Sequence, residues 1–351
     1  MTDARQFRDD TLVVKQDWSA VSLWFAQQNH QFDWNNVRQY AGGVANMNYL
    51  ALLDGVPVVF RCPPSGPLAK GANDLAREWR VLSRLNGGYA LAPRAISFCG
   101  DAAVIGKPFL VIEHRDGVAI GGVLPSECPE DAPNRLTMEL IGAMTALHRV
   151  DPASVDLDSL GRPEGFLERQ LEGWLLRGEA AWQGSPPKEL RHLGDRLRTS
   201  VPLSHRTSLL HMDFKLDNLL IDPVTLSIQA VIDWDMATRG CSLYDLAILL
   251  SYWVEPSDPQ EVWGLAQIPS LAPGFMRRRE VAERFFVMSG DEYRSLSWHL
   301  GCARLRLAVA WMQLALLWER GEVVGDRYKD FATLALSVLR WANDSIDTEI
   351  I

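Results

Sequence analysis

The stretch from His211 to Asp235 constrains the fold of this chain more than any other part of its sequence. It reads His211-Met212-Asp213-Phe214-Lys215-Leu216-Asp217-Asn218, followed by an apolar run, a turn at Asp222-Pro223 and a second apolar run that ends on Asp233-Trp234-Asp235. Two short apolar runs joined by an Asp-Pro turn predict a β-hairpin. Because Asp213 and Asn218 precede its first strand and Asp233 follows its second, we expect these three side chains to converge on one point.

The chemistry and spacing of these polar residues are typical of phosphoryl transfer. Two carboxylates and an amide offer hard oxygen ligands, which suit Mg²⁺ better than Zn²⁺. Histidine, any residue, aspartate, four residues and asparagine is the order of a phosphotransferase catalytic loop, and an aspartate on the next strand is a further magnesium ligand. Any two of these residues would fit an ordinary acidic loop, but all of them in order favour a kinase-type site. We therefore predict Asp213, Lys215 and His211 as catalytic residues and Asn218 and Asp233 as Mg²⁺ ligands.

The composition is that of an ordinary globular protein with an acidic surface. The length of 351 residues suggests two domains or two lobes. The residues are 47% hydrophobic and 23% charged, as is usual for globular proteins. The net charge of −9 argues against nucleic acid as the main partner, because phosphate backbones require clustered Lys and Arg. Five scattered cysteines without a CxxC pair predict reduced thiols and a cytoplasmic protein. The apolar run from Leu305 to Trp318 contains Arg306 and predicts a buried helix that is too short to span a membrane.

Residues 1–113 are predicted to form a nucleotide-binding first lobe, a β-sheet with a helix. Gly43 and Asn46 lie in a glycine-bearing loop before a strand, and Asp54-Gly55 then predicts a hairpin. A glycine-bearing hairpin can lie close to phosphates, because backbone N–H groups approach them when side chains are absent. We therefore predict Gly43 and Asn46 as nucleotide-binding residues.

Two further parts of the first lobe are predicted to contact the nucleotide. Arg61 ends the second strand of the hairpin, where a kinase-type lobe has a cation for the α- and β-phosphates. Glu78, inside a helix predicted over residues 73–85, is its candidate partner, although a solvated ion-pair face is the alternative. Glu113 and His114 follow a predicted strand over residues 108–112. They belong to a connector whose backbone groups can pair with the edge of adenine.

Residues 114–351 are predicted as a larger, mostly helical second lobe with the catalytic loop, the metal site and the substrate-binding helices. Helices are predicted over residues 134–149, 165–181 and 188–199. Ser242 is predicted to cap an apolar helix in which Asp245 has a structural role. The Pro-rich stretch 256–273 is interpreted as a substrate-side loop. Arginines 277–279, 304 and 306 are predicted at the surface, with an anion site as the alternative.

The sequence resembles the aminoglycoside phosphotransferase family, and within it the kinase-like domains fused to acyl-CoA dehydrogenases. The resemblance spans about residues 35–345. It is carried by His211–Asn218, Val231–Asp235, Phe60–Pro64, Ala76–Leu82 and Asp245–Ala247. It implies an α+β, bilobal protein-kinase-like fold with a small β-rich N-lobe and a larger, mostly helical C-lobe. It also implies ATP- and Mg²⁺-dependent transfer of the γ-phosphate to a hydroxyl of a small molecule, with a hydroxyacyl-CoA as the acceptor that the subgroup suggests.

Three positions depart from the family pattern. The family usually has Gly where Met212 stands, and a larger side chain restricts the backbone. Lys is frequent where Arg61 stands, and Arg is a planar fork with a different contact geometry. Gly-Asp-Pro is common where Gly240-Cys241-Ser242 stands, so one carboxylate near the metal segment is missing.

Other functions stay open at this point. An aminoglycoside acceptor would require an acidic pocket, which the acidity of the chain allows. A nucleotide-binding pseudokinase that regulates a partner is a further alternative, although every reacting residue is present. A zinc hydrolase would need more histidines, and a protein kinase would need an APE-type segment. The sequence leaves open whether the chain is a monomer or a dimer.

Overall fold

The structure is a computed structural model, and it describes residues 7–41, 46–64, 74–203, 206–265, 267–323, 325 and 328–347. The chain forms two compact units, Met1–Asp116 with Ala230–Ala237, and Gly117–Gln229 with Thr238–Ile351. The lobe boundary predicted after residue 113 lies close to this division. Residues 230–237 differ from the prediction, because they group with the first unit although they lie far along the chain. The nucleotide and substrate roles of the two units stay predictions.

The first unit contains an antiparallel five-stranded sheet. Its strands are β1 Phe32–Gln39, β2 Met47–Leu53, β3 Val56–Cys62, β4 Ala95–Cys99 and β5 Phe109–Glu113, in the order β1-β2-β3-β5-β4. The predicted hairpin between β2 and β3 is confirmed. Asp54 and Gly55 have φ values of 52° and 78°, which is the left-handed pair that a type I′ turn needs. This register places Arg61 near the end of β3, opposite Asn48.

Helices and aromatic side chains complete the first unit. The helices are α1 Trp18–Ala26, α2 Leu75–Leu85 and α3 Ala102–Ile105. Helix α2 begins where Asp74 accepts a hydrogen bond from the N–H of Arg77 at 3.0 Å, which satisfies one of the helix's orphan donors. In the core, the ring of Phe32 contacts the rings of both Phe25 and Phe60. The buried face of α2 includes Glu78, so the prediction of this helix is confirmed and the solvated face is wrong for this residue.

The second unit is mostly helical. Its elements are α4 Ala132–Arg149, α5 Phe166–Ala181, α6 Lys188–Arg198, β6 Thr207–Leu210, β7 Leu219–Ile221, β8 Ile228–Val231, β9 Thr238–Cys241, α7 Ser242–Ser251, α8 Arg278–Ser289, α9 Ser297–Glu319 and α10 Phe331–Ser345, with β8 running across the division. Strands β6 and β9 pair antiparallel, and the turn between β7 and β8 closes with a 2.9 Å bond from the Asp222 N–H to the Ser227 carbonyl. The predicted hairpin and the α+β class are confirmed.

Two predictions for the second unit need correction, the surface position of three arginines and the cap of α7. Arg278, Arg304 and Arg306 are buried, not at the surface, because each finds an acceptor or an aromatic ring inside the unit. Ser242 does not cap α7. Cys241 holds the cap position, the helix has no side-chain cap bond, and the Ser242 hydroxyl has no partner among the described residues.

Helix α9 is longer than the apolar run seen in the sequence. It is the one helix in the described part of the chain that is long and apolar enough to cross a bilayer, so the prediction that it is too short is wrong. However, 67% of its apolar window is buried inside the protein, as expected for a core helix. The burial of α9 inside the protein, and not its length, therefore indicates that it is a core helix.

Candidate active site

The loop between β6 and β7 brings three of the predicted residues together. The Asp213 Oδ2 atom accepts hydrogen bonds from the Lys215 Nζ atom at 2.5 Å and from the Asn218 Nδ2 atom at 3.0 Å. The Asn218 amide also donates to the Asp213 carbonyl at 2.8 Å, which folds the loop around the aspartate. The Asp213 side chain keeps 18% of its surface exposed. Its Oδ1 atom is therefore the oxygen that can accept a hydrogen bond from a substrate.

The charges of the loop keep Asp213 ionised. Burial raises the pKa of Asp213, but Lys215 and Arg306 outweigh burial and leave the pKa below its ordinary value. Burial lowers the pKa of Lys215, and the charges of Asp213 and Asp217 reverse this effect and raise it. Asp217 differs, because its burial raises the pKa to about 6 in spite of Lys215. At neutral pH the loop thus presents an acceptor-only carboxylate beside a fixed ammonium group.

His211 supports the loop from inside. Its side chain is fully buried, and its Nδ1 atom accepts a hydrogen bond of 3.3 Å from the N–H of Asp213. Its ring also packs edge-on against Phe214, with 5.6 Å between the ring centroids. This geometry gives His211 a positioning role, whereas the sequence interpretation grouped it with the catalytic residues.

Asp245 at the start of α7 fixes the first residues of the same loop. Its carboxylate is buried and accepts from the N–H groups of His211 at 3.0 Å and Met212 at 2.7 Å. The ring of His148, on α4, completes the set at 3.0 Å. The predicted structural role of Asp245 is thus defined more closely, because this residue ties the catalytic loop to two core helices.

The first unit contains a second cluster of predicted residues. Arg61 is buried and donates from Nε to the Glu78 Oε2 atom at 3.1 Å, as the sequence predicts. Its Nη2 atom also donates to the Asp233 Oδ1 atom at 2.8 Å, a contact that the sequence did not predict. Burial lowers the pKa of Arg61, but the carboxylates of Glu78 and Asp233 together outweigh burial and raise it, so the guanidinium stays charged. Arg61 therefore holds the predicted metal ligand Asp233.

The remaining predicted nucleotide residues differ in their surroundings. Asn46 is buried, and neither polar atom of its amide has a partner among the described residues. Glu113 pairs with Arg94 at 3.6 Å and Arg115 at 3.2 Å, and the His114 ring lies 3.9 Å from Asp116. Gly43 lies outside the described residues. A buried amide without a partner is costly, so Asn46 fits a ligand-binding role best among these residues.

A sequence model of the phosphotransferase enzyme family, APH, matches residues 36–281. The chain belongs to this family. The prediction of a small-molecule phosphotransferase is thereby confirmed at the level of the family. The mouse protein acyl-CoA dehydrogenase family member 10 is 30% identical over 71% of this chain. The chain spans 23% of the length of that relative, so it matches only a minor part of a much longer protein.

Solved structures confirm the predicted kinase-like fold. A candidate aminoglycoside phosphotransferase from Ralstonia eutropha JMP134 superimposes with a TM-score of 0.73 at 22% identity, covering 94% of this chain and 99% of that chain. An aminoglycoside phosphotransferase solved with GDP and kanamycin gives a TM-score of 0.59 at 18% identity, covering 88% and 93%. At these identities the similarity establishes the fold alone.

The donors available to a metal ion in this phosphotransferase fit magnesium. The described residues contain no cluster of three or more His, Cys, Asp or Glu side chains that could enclose a metal ion. Mg²⁺ does not need one, because it keeps several waters and is commonly held by one or two protein oxygens together with substrate phosphates. The Asn218 amide nitrogen donates into the loop, so its oxygen is the atom suited to a metal. The convergence of Asn218 and Asp233 stays a prediction.

Backbone strain in this phosphotransferase occurs directly before one predicted functional aspartate, Asp213, and at the other, Asp233. Met212, where the family usually has Gly, has a φ of 68°, and Asp233 has a φ of 72°. The left-handed region disfavours side chains with a Cβ, and such strain persists only where the surroundings enforce it. The departure at position 212 therefore leaves the shape of the loop intact at a cost in strain.

The sequence places one supporting residue of the site wrongly and leaves the partner of another open. Arg306 was assigned to the surface, yet it donates from Nη2 to the Met212 carbonyl at 2.8 Å inside the unit. His148 lies in the last turn of the helix predicted over residues 134–149, where the sequence indicates a helix-terminal or core contact. The structure shows a core contact, because its buried ring bonds the Asp245 carboxylate. The available signal was an arginine within an apolar helix, because a charged residue in a buried stripe is rare unless it is paired.

The Arg61 cluster makes a testable contribution to stability. Arg61→Met removes the positive charge that compensates Glu78, which is fully buried in the described structure. Burial raises the pKa of Glu78, so this carboxyl can take up a proton in the variant, which limits the expected loss to about 2–3 kcal/mol of unfolding free energy. Because a raised carboxyl pKa makes the folded state bind more protons, the loss should shrink as the pH falls from 7 to 5. Urea unfolding at several pH values measures both effects.

The double variant Arg61→Met/Glu78→Gln is the matched control for this cluster. It removes both charges, so it should recover much of the lost stability and lose the pH dependence. If Arg61→Met were as stable as the wild type at pH 7, the ion pair would not support the first unit.

Proposed function

We propose that this chain transfers the γ-phosphate of ATP, with Mg²⁺, to a hydroxyl group of a small molecule. One observation carries the proposal. In the catalytic loop, Lys215 and Asn218 donate hydrogen bonds to one carboxylate oxygen of Asp213 and leave the other oxygen for the hydroxyl group of a substrate. The match to the phosphotransferase enzyme family supports the same reaction type. The GDP and kanamycin complex of a structural neighbour supports nucleotide binding and a small-molecule acceptor.

Asp213 orients the acceptor in the proposed reaction. Its Oδ1 atom accepts the hydrogen bond of the substrate hydroxyl and directs the hydroxyl oxygen toward the phosphorus atom. The lowered pKa of Asp213 suits this role, because an ionised carboxylate is a strong acceptor and the proton can move late in phosphoryl transfer. Lys215 holds the carboxylate in place and supplies positive charge beside the group in transfer.

The nucleotide phosphates are assigned to residues of the first unit. Asn46 offers a buried amide, and Arg61 offers a charged guanidinium. Asn218 and Asp233 would hold Mg²⁺, which supplies positive charge to the phosphate oxygens when bound. Arg61 orients Asp233 for this purpose through their 2.8 Å hydrogen bond.

A hydroxyacyl-CoA is the acceptor that we propose. An apolar cavity of about 260 Å³ lies in the second unit, lined among others by Leu124, Val254, Trp263, Ile268 and Leu271. None of the described residues that line it is charged, whereas a polycationic aminoglycoside would require acidic side chains. Val254 lies two residues after Tyr252, whose ring centroid is 5.6 Å from the Lys215 ammonium group. The cavity thus suits the apolar part of an acceptor, and the acyl-CoA dehydrogenase relatives support an acyl-CoA compound.

The decisive experiment compares two acceptor classes under the same conditions. Purified protein with ATP and MgCl₂ is incubated with a series of hydroxyacyl-CoA compounds or with kanamycin, and the products are measured by mass spectrometry. A phosphorylated acyl-CoA product that disappears with EDTA supports the proposal. Phosphorylated kanamycin alone would assign the aminoglycoside function. Nucleotide binding without any phosphorylated product would favour a pseudokinase.

The cavity can be tested separately from the chemistry. Ala272 lines it, so Ala272→Trp should fill the space and raise the KM for the acyl-CoA acceptor by about tenfold or more, the usual scale for a mismatched apolar pocket. The KM for ATP should stay unchanged. Val287→Trp, at an exposed position of α8, is the control for adding an indole ring. An unchanged acceptor KM in the Ala272 variant would exclude the cavity as the acyl site.

A further inference from the structure

Met212 is held in its left-handed conformation from both sides of its backbone. Its N–H donates to the Asp245 Oδ1 atom at 2.7 Å, and its carbonyl accepts from the Arg306 Nη2 atom at 2.8 Å. Both partners are buried charged side chains, one on α7 and one on α9. Since a methionine at a φ of 68° is strained, some part of the structure must enforce this conformation. The two bonds provide that restraint.

The position of Met212 gives the restraint a consequence for the reaction. Met212 directly precedes Asp213, so a rotation of its backbone would change where the Asp213 carboxylate points. A glycine at this position adopts positive φ without strain and needs no such restraint. The buried Met212 side chain adds packing that partly offsets the strain, but packing alone does not select the backbone conformation.

Arg306 is itself fixed for this task. Its guanidinium lies 5.5 Å from the centroid of the Trp174 ring on α5, and it shares a hydrogen bond with Tyr252. Tyr252 in turn faces the Lys215 ammonium group with its ring. Arg306 therefore contacts the catalytic loop through the Met212 carbonyl and borders the residue that packs against Lys215.

We propose that Arg306 is a positioning residue for phosphoryl transfer, which holds the Met212 peptide left-handed so that Asp213 faces the acceptor. A glycine at position 212 would adopt this conformation without help. Methionine needs the hydrogen bond that Arg306 donates from α9. The expected change in kcat rests on the proposed function, whereas the expected change in unfolding does not. Arg306 contacts no reacting atom in this role.

The test measures the effect of Arg306→Met in three backgrounds: the wild type, Met212→Ala and Met212→Gly. Methionine and alanine both have a Cβ and need the restraint, whereas glycine does not, so Met212→Ala is the matched control for loss of the side chain. In the wild-type and Met212→Ala backgrounds, we expect Arg306→Met to lower kcat by about 10- to 100-fold, the scale of a misplaced reacting group. In the Met212→Gly background, we expect kcat to fall only a few-fold. The KM for ATP should not change in any of them.

Urea unfolding of the same variants gives a readout that needs no substrate. The Arg306→Met substitution should lower the urea concentration at the denaturation midpoint less in the Met212→Gly background than in the Met212→Ala background. If Arg306→Met does not fold, Arg306→Lys, which keeps the buried charge but not the planar fork, is measured in the three backgrounds. Absence of turnover with every acceptor would refute the proposed function, and the unfolding comparison would still decide the role of Arg306.

Arg304→Met is the control on the same helix. Arg304 is buried as well, but it bonds Ser345 at 2.5 Å and lies over the Trp341 ring, and both of these partners belong to α10. Its replacement should lower stability by the same amount whatever residue stands at position 212. Equal losses on Arg306→Met in all three backgrounds would overturn the proposal, because Arg306 would then be an ordinary core residue.

Discussion

Asp213→Asn is expected to lower kcat by about 10²- to 10⁴-fold, the usual scale for a positioned acid–base group. The substitution keeps the size of the side chain but replaces one carboxylate oxygen by a donor. It also removes the negative charge that pairs with Lys215 at 2.5 Å, so the ammonium group loses its anchor. The variant therefore loses both the orientation of the substrate hydroxyl and the charge that holds Lys215 in place. The KM for ATP should change little, because no phosphate contact is assigned to Asp213.

Single-turnover phosphorylation of the acceptor, followed by mass spectrometry, measures this effect on the chemical step. Asp195→Asn is the control, because Asp195 is an exposed aspartate that pairs with Arg198 on the surface of α6. A turnover of Asp213→Asn close to that of the wild type would refute the assignment of Asp213. A loss of the same size in Asp195→Asn would indicate instability and not chemistry.

The parts of the site that could be predicted from the sequence are those in which sequence neighbours act together. Asp213, Lys215 and Asn218 lie within one short loop, so their spacing alone indicates that they meet. The Asp54-Gly55 turn is also local, because two residues with positive φ suffice to reverse the chain. The pairing of Arg61 with Glu78 is less local, but a strand end followed by a helix is enough to suggest it.

The other contacts of the site join residues that are far apart in the sequence. Arg61 and Asp233 are separated by 172 positions, and Arg306 and the Met212 carbonyl by 94. No periodic pattern marks such pairs, because each depends on which helices and strands pack together. Arginines within an apolar helix were assigned to the surface for the same reason, since their acceptors are invisible until the fold is known. The sequence thus predicts the reacting loop better than the residues that hold it.

Asp245→Ala is expected to lower the unfolding free energy by about 3–5 kcal/mol, the scale of breaking a buried ion pair. The carboxylate accepts from the backbone N–H groups of His211 and Met212 and from the His148 ring, and all of these lie inside the second unit. Without it, the buried donors have no acceptor and the first residues of the catalytic loop lose their attachment to α7. Asp245→Asn keeps an acceptor oxygen, so its unfolding free energy should fall by only about 1–3 kcal/mol.

Hydrogen exchange and acid titration separate a local role of Asp245 from a general one. In Asp245→Asn the amide protons of His211 and Met212 should exchange faster, while amides in the last turns of α7 keep their protection. Burial raises the pKa of Asp245, but the hydrogen bond and charge of His148 outweigh it and lower the pKa below its ordinary value. The contribution of Asp245 is therefore complete above the ordinary aspartate pKa of about 3.9 and is lost as the pH falls through the lower folded value. Asp245→Asn should lack this acid-dependent part of the unfolding free energy. Unchanged protection of the two loop amides would show that Asp245 does not hold the catalytic loop.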